Sequence, residues 1–257
     1  VLSRPIQSDR LLLEQLVQRH ELSRTQAILV THSHYDHVLD VPALLEMLPG
    51  TAVVGSPSTL NIARANPKVI PQQLQPVKLG QVQQWGNFQI TAIPSQHTPP
   101  TAVNDDLGEE LLQPFTLPAK FSEFKEGGSF DYLIEHVGYK ILVKASTGFI
   151  PEQLQHLEVD TLFLGIAQLS RQSAAYQQQY LAETLNLLKP KVVIPVHWDD
   201  FFQPLNQPLQ FLPRLADDSP KSLQLLIQAA ERQGTKVVLL SGPQPYLLNA
   251  AVASQSD

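Results

Sequence analysis

The sequence predicts a single α/β domain arranged as a four-layer αββα sandwich, two sheets face to face with helices outside them. Three observations lead there. Short apolar runs of strand length alternate with amphipathic stretches at helical spacing. Two strand pairs, turning at Gly86-Asn87 and at Val137-Gly138, interrupt that alternation as hairpins. The second half then repeats the hairpin, helix, strand order of the first.

Taken in order, residues 9–19 carry Leu11, Leu12, Leu13, Leu16 and Val17 at helical spacing, with His20 as a C-terminal cap. Ala27 to Val30 is a buried strand. After a histidine-rich turn, residues 41–48 form a helix entered through Asp40 and Pro42 and closed by Pro49-Gly50. Residues 51–55 are a short strand, and Ser56-Pro57 starts a helix to about Ala65, since Ser accepts backbone N–H bonds and Pro suits a first turn. Strands at 77–85 and 88–94 make the first hairpin.

Between Thr98 and Gly128 the pattern breaks. This insert mixes Pro99, Pro100, Pro114 and Pro118 with Asp105, Asp106, Glu109 and Glu110 and with apolar Leu111, Leu112, Phe115, Leu117, Phe121 and Phe124. A loop longer than about 15 residues is usually functional or disordered, and its place after His97 suggests a lid. The alternative is a structural insert that packs its own aromatics. The second hairpin spans 129–136 and 139–144, followed by a short helix at 151–157, a strand at 160–166, a helix at 176–188 and a strand at 191–196. An apolar loop with Phe201, Phe202, Leu205, Leu209, Phe211 and Leu212 precedes a helix at 219–233 and closing strands at 235–241 and 246–248.

Composition narrows the function. With 43% hydrophobic residues there is ample material for a core, and 18 basic against 24 acidic side chains without a Lys/Arg block argue against a nucleic-acid partner. Cysteine is absent, so any metal must sit on nitrogen and oxygen ligands. No apolar run reaches the roughly 18 residues of a membrane span and no signal-peptide pattern opens the chain. A cytoplasmic protein is favoured, with export or anchoring as the alternative if a leader preceded Val1.

The chemistry concentrates after the first strand, in Thr-His-Ser-His-Tyr-Asp-His: His32, His34, Asp36 and His37 place three imidazoles and a carboxylate within six positions of a chain holding 8 His. Neutral imidazole and carboxylate are the ligands that zinc and similar divalent ions accept. His97 ends a later strand, and His197 follows Val192-Val193-Ile194-Pro195-Val196. His136 and His156 lack such companions and read as structural. Tyr35 reads as a packing residue that touches substrate only as an alternative.

These residues resemble the metallo-β-lactamase fold hydrolases, whose signature is His-x-His-x-Asp-His after a strand. The resemblance covers about Ala27 to Leu248, and the family usually has two or more strands ahead of the signature, so strands upstream of Val1 are expected. It implies a binuclear centre, with His32, His34 and His97 on one ion and Asp36, His37 and His197 on the other. Zinc is the implied metal, as one or two ions, with manganese and iron as alternatives. Where most hydrolases of the fold carry a bridging Asp in a Gly-Asp-Thr turn, this chain reads Ala145-Ser146-Thr147-Gly148. Ser146 is neutral and offsets the repulsion of two dications less than a carboxylate, so the second ion should bind more weakly. The third subclass of metallo-β-lactamases resembles this chain in having Ser there.

The resemblance implies a metal-dependent hydrolase, with zinc-activated hydroxide attacking an ester, lactone or phosphodiester and Asp36 orienting the nucleophile. Asp199 and Asp200, directly after His197, either hold imidazoles by their other N–H or are solvent-facing loop acids. The surroundings of the signature look most like the group containing ascorbate-6-phosphate lactonase and N-acyl phosphatidylethanolamine phospholipase D, and the Phe- and Leu-rich loops favour a small-molecule or lipid-like substrate with an apolar portion. A metal-binding scaffold without turnover and a β-lactam hydrolase are the competing readings.

Overall fold

The computed structural model describes residues 4–101, 105–242 and 244–248. Contacts divide them into two compact units, with the chain crossing at Gln81/Val82, Pro99/Pro100 and Phe130/Asp131. The first unit holds residues up to 81 together with the 100–130 stretch; the second holds the rest.

In the first unit, helix α1 (Arg10–Arg19) begins where Asp9 Oδ1 accepts the Leu12 N–H at 3.0 Å and ends at His20, whose N–H reaches the Leu16 carbonyl at 3.0 Å. Strand β1 (Ala27–Leu29) leads into a four-residue helix α2 (Tyr35–Val38) and then α3 (Val41–Met47). Strand β2 (Ala52–Gly55), helix α4 (Pro57–Ala63) and strand β3 (Leu74–Pro76) follow. The three strands form one parallel sheet in the order β1-β2-β3, Ile28 opposite Val53 and Val53 opposite Leu74. A central parallel strand is covered on both faces, and Ala-Val-Val-Gly of β2 is buried at every position.

The insert belongs to this unit's core. Phe124 is buried with Val30, Val38, Val41, Leu45 and Val53, and Phe115 packs against the same cluster. Its backbone is fixed as well: the Leu111 N–H donates to Ser58 Oγ at 2.8 Å, and Asn61 Nδ2 donates to the Leu111 carbonyl at 2.5 Å. Leu111, Phe115, Leu117 and Phe124 are thus spent on packing while Leu112 stays exposed, and Tyr35 lies edge-on to Phe121 and Phe124.

The second unit is built on a seven-stranded sheet. Its strands are β4 (Val82–Trp85), β5 (Phe88–Ser95), β6 (Ser129–His136), β7 (Tyr139–Lys144), β8 (Thr161–Gly165), β9 (Val192–Val196) and β10 (Lys236–Val237), with the first two residues of β6 assigned to the first unit. The order is β10-β9-β8-β7-β6-β5-β4. Both expected hairpins form, Trp85 opposite Phe88 and His136 opposite Tyr139, and β7 to β10 run parallel. Helices α5 (Ala174–Leu181) and α6 (Ser219–Gln233) supply Tyr180, Leu181, Leu223 and Leu226 to a core with Leu142, Leu162, Leu164 and Val193.

Several expected elements are corrected. Residues 151–157 are turns, because Glu152 (φ 63°) and His156 (φ 67°) adopt left-handed backbone that breaks a helix. The expected 176–188 helix is α-helical to Leu181 and then π-helical over Ala182–Asn186. Of the expected 77–85 strand only Val82–Trp85 is extended, and β3, at 74–76, lies ahead of it. The expected 235–241 strand ends at Val237, and 246–248 is irregular. The short β10 has a cause in β9. The Lys191 and Val193 carbonyls accept from Lys236 and Val238, both at 3.0 Å, so alternate residues face β10 and the next is Pro195, which has no N–H to continue the ladder. Among the described residues, no helix is long and apolar enough to cross a membrane.

Candidate metal centre

In the first unit, four of the sequence-predicted residues meet where β1 gives way to α2. The chain is pinned before and within the turn: Val30 N–H donates to the Val54 carbonyl at 3.0 Å, Phe130 N–H to Thr31 at 2.8 Å, and Ser33 N–H to Glu126 at 2.8 Å. Ser33 Oγ is buried 3.0 Å from Ser56 Oγ and 2.7 Å from Thr59 Oγ1. Ser33 thereby points into the unit between two histidines. His34 caps α2, its carbonyl accepting the His37 N–H at 3.0 Å, which brings the histidines back towards each other.

The result is a compact donor cluster. The His32 and His37 rings lie 3.9 Å apart, His32 and His34 5.0 Å apart edge-to-face, and His37 Nε2 is 3.4 Å from Asp36 Oδ2. His32 is 2% exposed, and Thr31 Oγ1 lies 3.3 Å from its Nδ1. Imidazoles packed this closely with a carboxylate suit a cation, and the donors are nitrogen and oxygen throughout, the set that zinc and other first-row divalent ions accept. Next to the cluster, burial raises the Asp40 carboxyl above the ordinary carboxylate range, partly offset by the Ser8 hydroxyl.

One partner in this unit was not anticipated. His34 Nε2 lies 3.1 Å from Oδ1 and 3.3 Å from Oδ2 of Asp106, a residue of the insert. In sequence Asp106 is only one acid among several in a stretch without periodicity, and nothing local couples it to a residue 72 positions away.

The second unit carries His97, His197 and Ser146. His97 follows β5, and the Ala145–Gly148 turn after β7 is packed against it: a Cβ on Gly148 would overlap the backbone carbonyls of Gln96 and His97. Thr147 adds its N–H, 3.2 Å, and its hydroxyl, 2.9 Å, to Thr98 Oγ1. Just before the turn, buried Lys144 donates to Ser95 Oγ at 2.8 Å and lies 3.3 Å from Asp131 Oδ2, tying the ends of β5, β6 and β7 together. Burial pushes the Asp131 carboxyl up, and the Lys144 charge pulls it back down. Ser146 is buried, and Tyr180 Oη donates to its carbonyl at 3.4 Å.

His197 follows β9 with φ 59°, a left-handed conformation costly for most residues and concentrated at functional positions. Its ring stands edge-on to Phe201 at 4.7 Å. Asp200 uses its carboxylate inside its own turn, accepting from Phe202 N–H at 3.1 Å and Gln203 Nε2 at 3.3 Å, and Asp199 pairs through its backbone with Phe211. His136 stacks on Phe88 at 4.6 Å.

A sequence profile described as the beta-lactamase superfamily domain matches residues 4–198, well over half of the chain. The chain belongs to the beta-lactamase superfamily. Similar proteins include a UPF0173 metal-dependent hydrolase from Polaromonas sp. (strain JS666 / ATCC BAA-500), 28% identical over 211 aligned positions, with 79% of this chain and 71% of the relative covered. Among solved structures, the metallo-beta-lactamase fold protein YhfI from Bacillus subtilis aligns over 93% of this chain and 83% of its own, with a TM-score of 0.55 and 11% identity. CmlA, a diiron beta-hydroxylase from Streptomyces venezuelae, aligns over 88% of this chain and 45% of its own, with a TM-score of 0.54 and 15% identity. Both likenesses are of fold, and the architecture is the metallo-β-lactamase one expected from the signature.

Proposed function

We propose that this superfamily member is a metal-dependent hydrolase in which His32, His34 and His97 hold one divalent ion and Asp36, His37 and His197 a second, with zinc as the metal. The observation that carries the reading is the cluster after β1, three imidazoles and a carboxylate gathered within six residues by a turn that is hydrogen-bonded on both sides. The name of the Polaromonas relative, a metal-dependent hydrolase, supports it. Three protein ligands per ion leave coordination positions open, which marks a catalytic site. When bound, zinc polarises the substrate and lowers the pKa of a coordinated water from 15.7 to about 7.

The chain's own residues have distinct tasks in this reading. Asp36 orients the attacking water and carries its proton to the leaving group. Ser146, in place of a bridging carboxylate, makes the second ion the weaker one. The substrate is an ester, a lactone or a phosphodiester with an apolar portion; exposed Phe202, Leu205, Leu209 and Phe211 in the segment after His197 favour that apolar part.

The test is elemental analysis of the purified protein together with a panel of nitrocefin, an aryl ester, a lactone and bis-p-nitrophenyl phosphate. Bound zinc, turnover of the ester, lactone or phosphodiester, and loss of that turnover to background in His34→Ala are expected. Bound iron or manganese would correct the metal, as the diiron Streptomyces neighbour makes worth checking. Turnover of nitrocefin alone would instead make the protein a β-lactam hydrolase. The neutral Ser146 favours one competing reading, a metal-binding scaffold, and full metal occupancy with no turnover of any substrate would establish it.

A further inference from the structure

We propose that Asp106, carried on the insert, is a positioning residue of the first metal site: its carboxylate fixes the orientation and tautomer of the His34 ring. The inference rests on the ligand set proposed above. Both carboxylate oxygens face one ring nitrogen, Nε2, at 3.1 and 3.3 Å. An ionised carboxylate only accepts, so the ring proton sits on Nε2. A metal-binding imidazole is neutral and has one lone pair, which leaves Nδ1 of His34 for the ion.

The carboxylate is itself held. Asp106 Oδ2 accepts the backbone N–H of Glu126 at 3.1 Å. Glu126 is 4% exposed, and its side chain accepts from Gly108 N–H at 2.8 Å, Gly128 N–H at 3.2 Å and the Ser129 hydroxyl. The Glu126 carbonyl in turn accepts the Ser33 N–H at 2.8 Å. The insert therefore grips the signature at two adjacent residues, Ser33 through its backbone and His34 through its ring. A carboxylate on the far nitrogen of a metal-binding histidine sets the ring angle and strengthens the ligand. Here that carboxylate comes from a segment outside the His-x-His-x-Asp-His signature.

The experiment uses the full chain, wild type and Asp106→Ala, Asp106→Asn and Glu126→Gln variants. Zinc affinity is measured by competition with a chromophoric chelator, and nitrogen NMR of histidine-labelled protein, loaded with zinc or cadmium, reads the His34 tautomer. Asp106→Ala is expected to weaken the tighter site about 10–100-fold and to remove the His34 Nε2–H signal. Asp106→Asn keeps an acceptor oxygen and should fall between Ala and wild type. Glu126→Gln should lower the melting temperature and leave the His34 signal in place. Wild-type affinity in Asp106→Ala, cadmium coupling to Nε2 of His34, or an equal loss of zinc in Glu126→Gln would each overturn the inference. A wild-type chain that takes up no metal would overturn the ligand set itself, which keeps the two failures distinct.

Discussion

At Gly148 there is no room for a side chain, because the backbone carbonyls of Gln96 and His97 occupy the space a Cβ would need. Replacing it with Ala must push apart the turn and the end of β5. We expect Gly148→Ala to cost about 2–4 kcal/mol in urea unfolding, while Gly50→Ala, whose Cβ would meet nothing within 4 Å, changes stability little. The proposed metal-binding residues stand out in the sequence because each is anchored to a pattern: the signature follows an apolar run, and His97 and His197 each follow a strand. Gly148 was visible only as part of a turn. Asp106 was not visible at all, since its contact with His34 exists only after the insert has folded back on the first unit, and no periodicity marks that closure.

At the scale of elements, two ionic groups hold strands and helices in place, and they respond differently to perturbation. Lys144 and Asp131 are almost wholly buried, so removing one leaves the other charged and unpaired. Lys144→Met should destabilise the protein by about 3–5 kcal/mol, and the double variant Lys144→Met/Asp131→Leu should recover much of that loss in thermal or chemical unfolding. Glu46 on α3 receives hydrogen bonds from Arg10 of α1, then Lys68 and Asn66, which hold its carboxyl down at about 2 against an ordinary value of 4.5. A depressed carboxyl stabilises the fold above its unfolded value and loses that contribution as pH falls towards the folded one. Glu46→Gln is therefore expected to lower the melting temperature at neutral pH and to match the wild type near pH 2, checked by thermal melts across that window. Element type was largely readable, from apolar period and from Gly and Pro punctuation. Errors fell where context decides: left-handed Glu152 and His156 dissolve an apparent helix, and Pro195 shortens the neighbouring strand β10, distant in sequence.

For the whole molecule, the superfamily architecture and the hydrolase reading converge on metal as the variable that links stability to function. A ligand that binds only the folded chain stabilises it by about 2.7 kcal/mol at 100 times its dissociation constant. Added zinc should therefore raise the melting temperature in a concentration-dependent way, chelator should reverse it, and His32→Ala should shift the response to the higher zinc concentrations that the weaker second site needs. The net charge of −6 leaves no electrostatic argument for nucleic acid at this scale. The mixed α/β plan of each unit was legible because alternating apolar runs constrain element type far more tightly than they constrain element ends.

Pro195 also shapes the protein's behaviour in a crowd. By interrupting the run of main-chain donors on the outer side of β9, it denies a neighbouring polypeptide the template for fibril-like growth just where the sheet would otherwise lie open past β10.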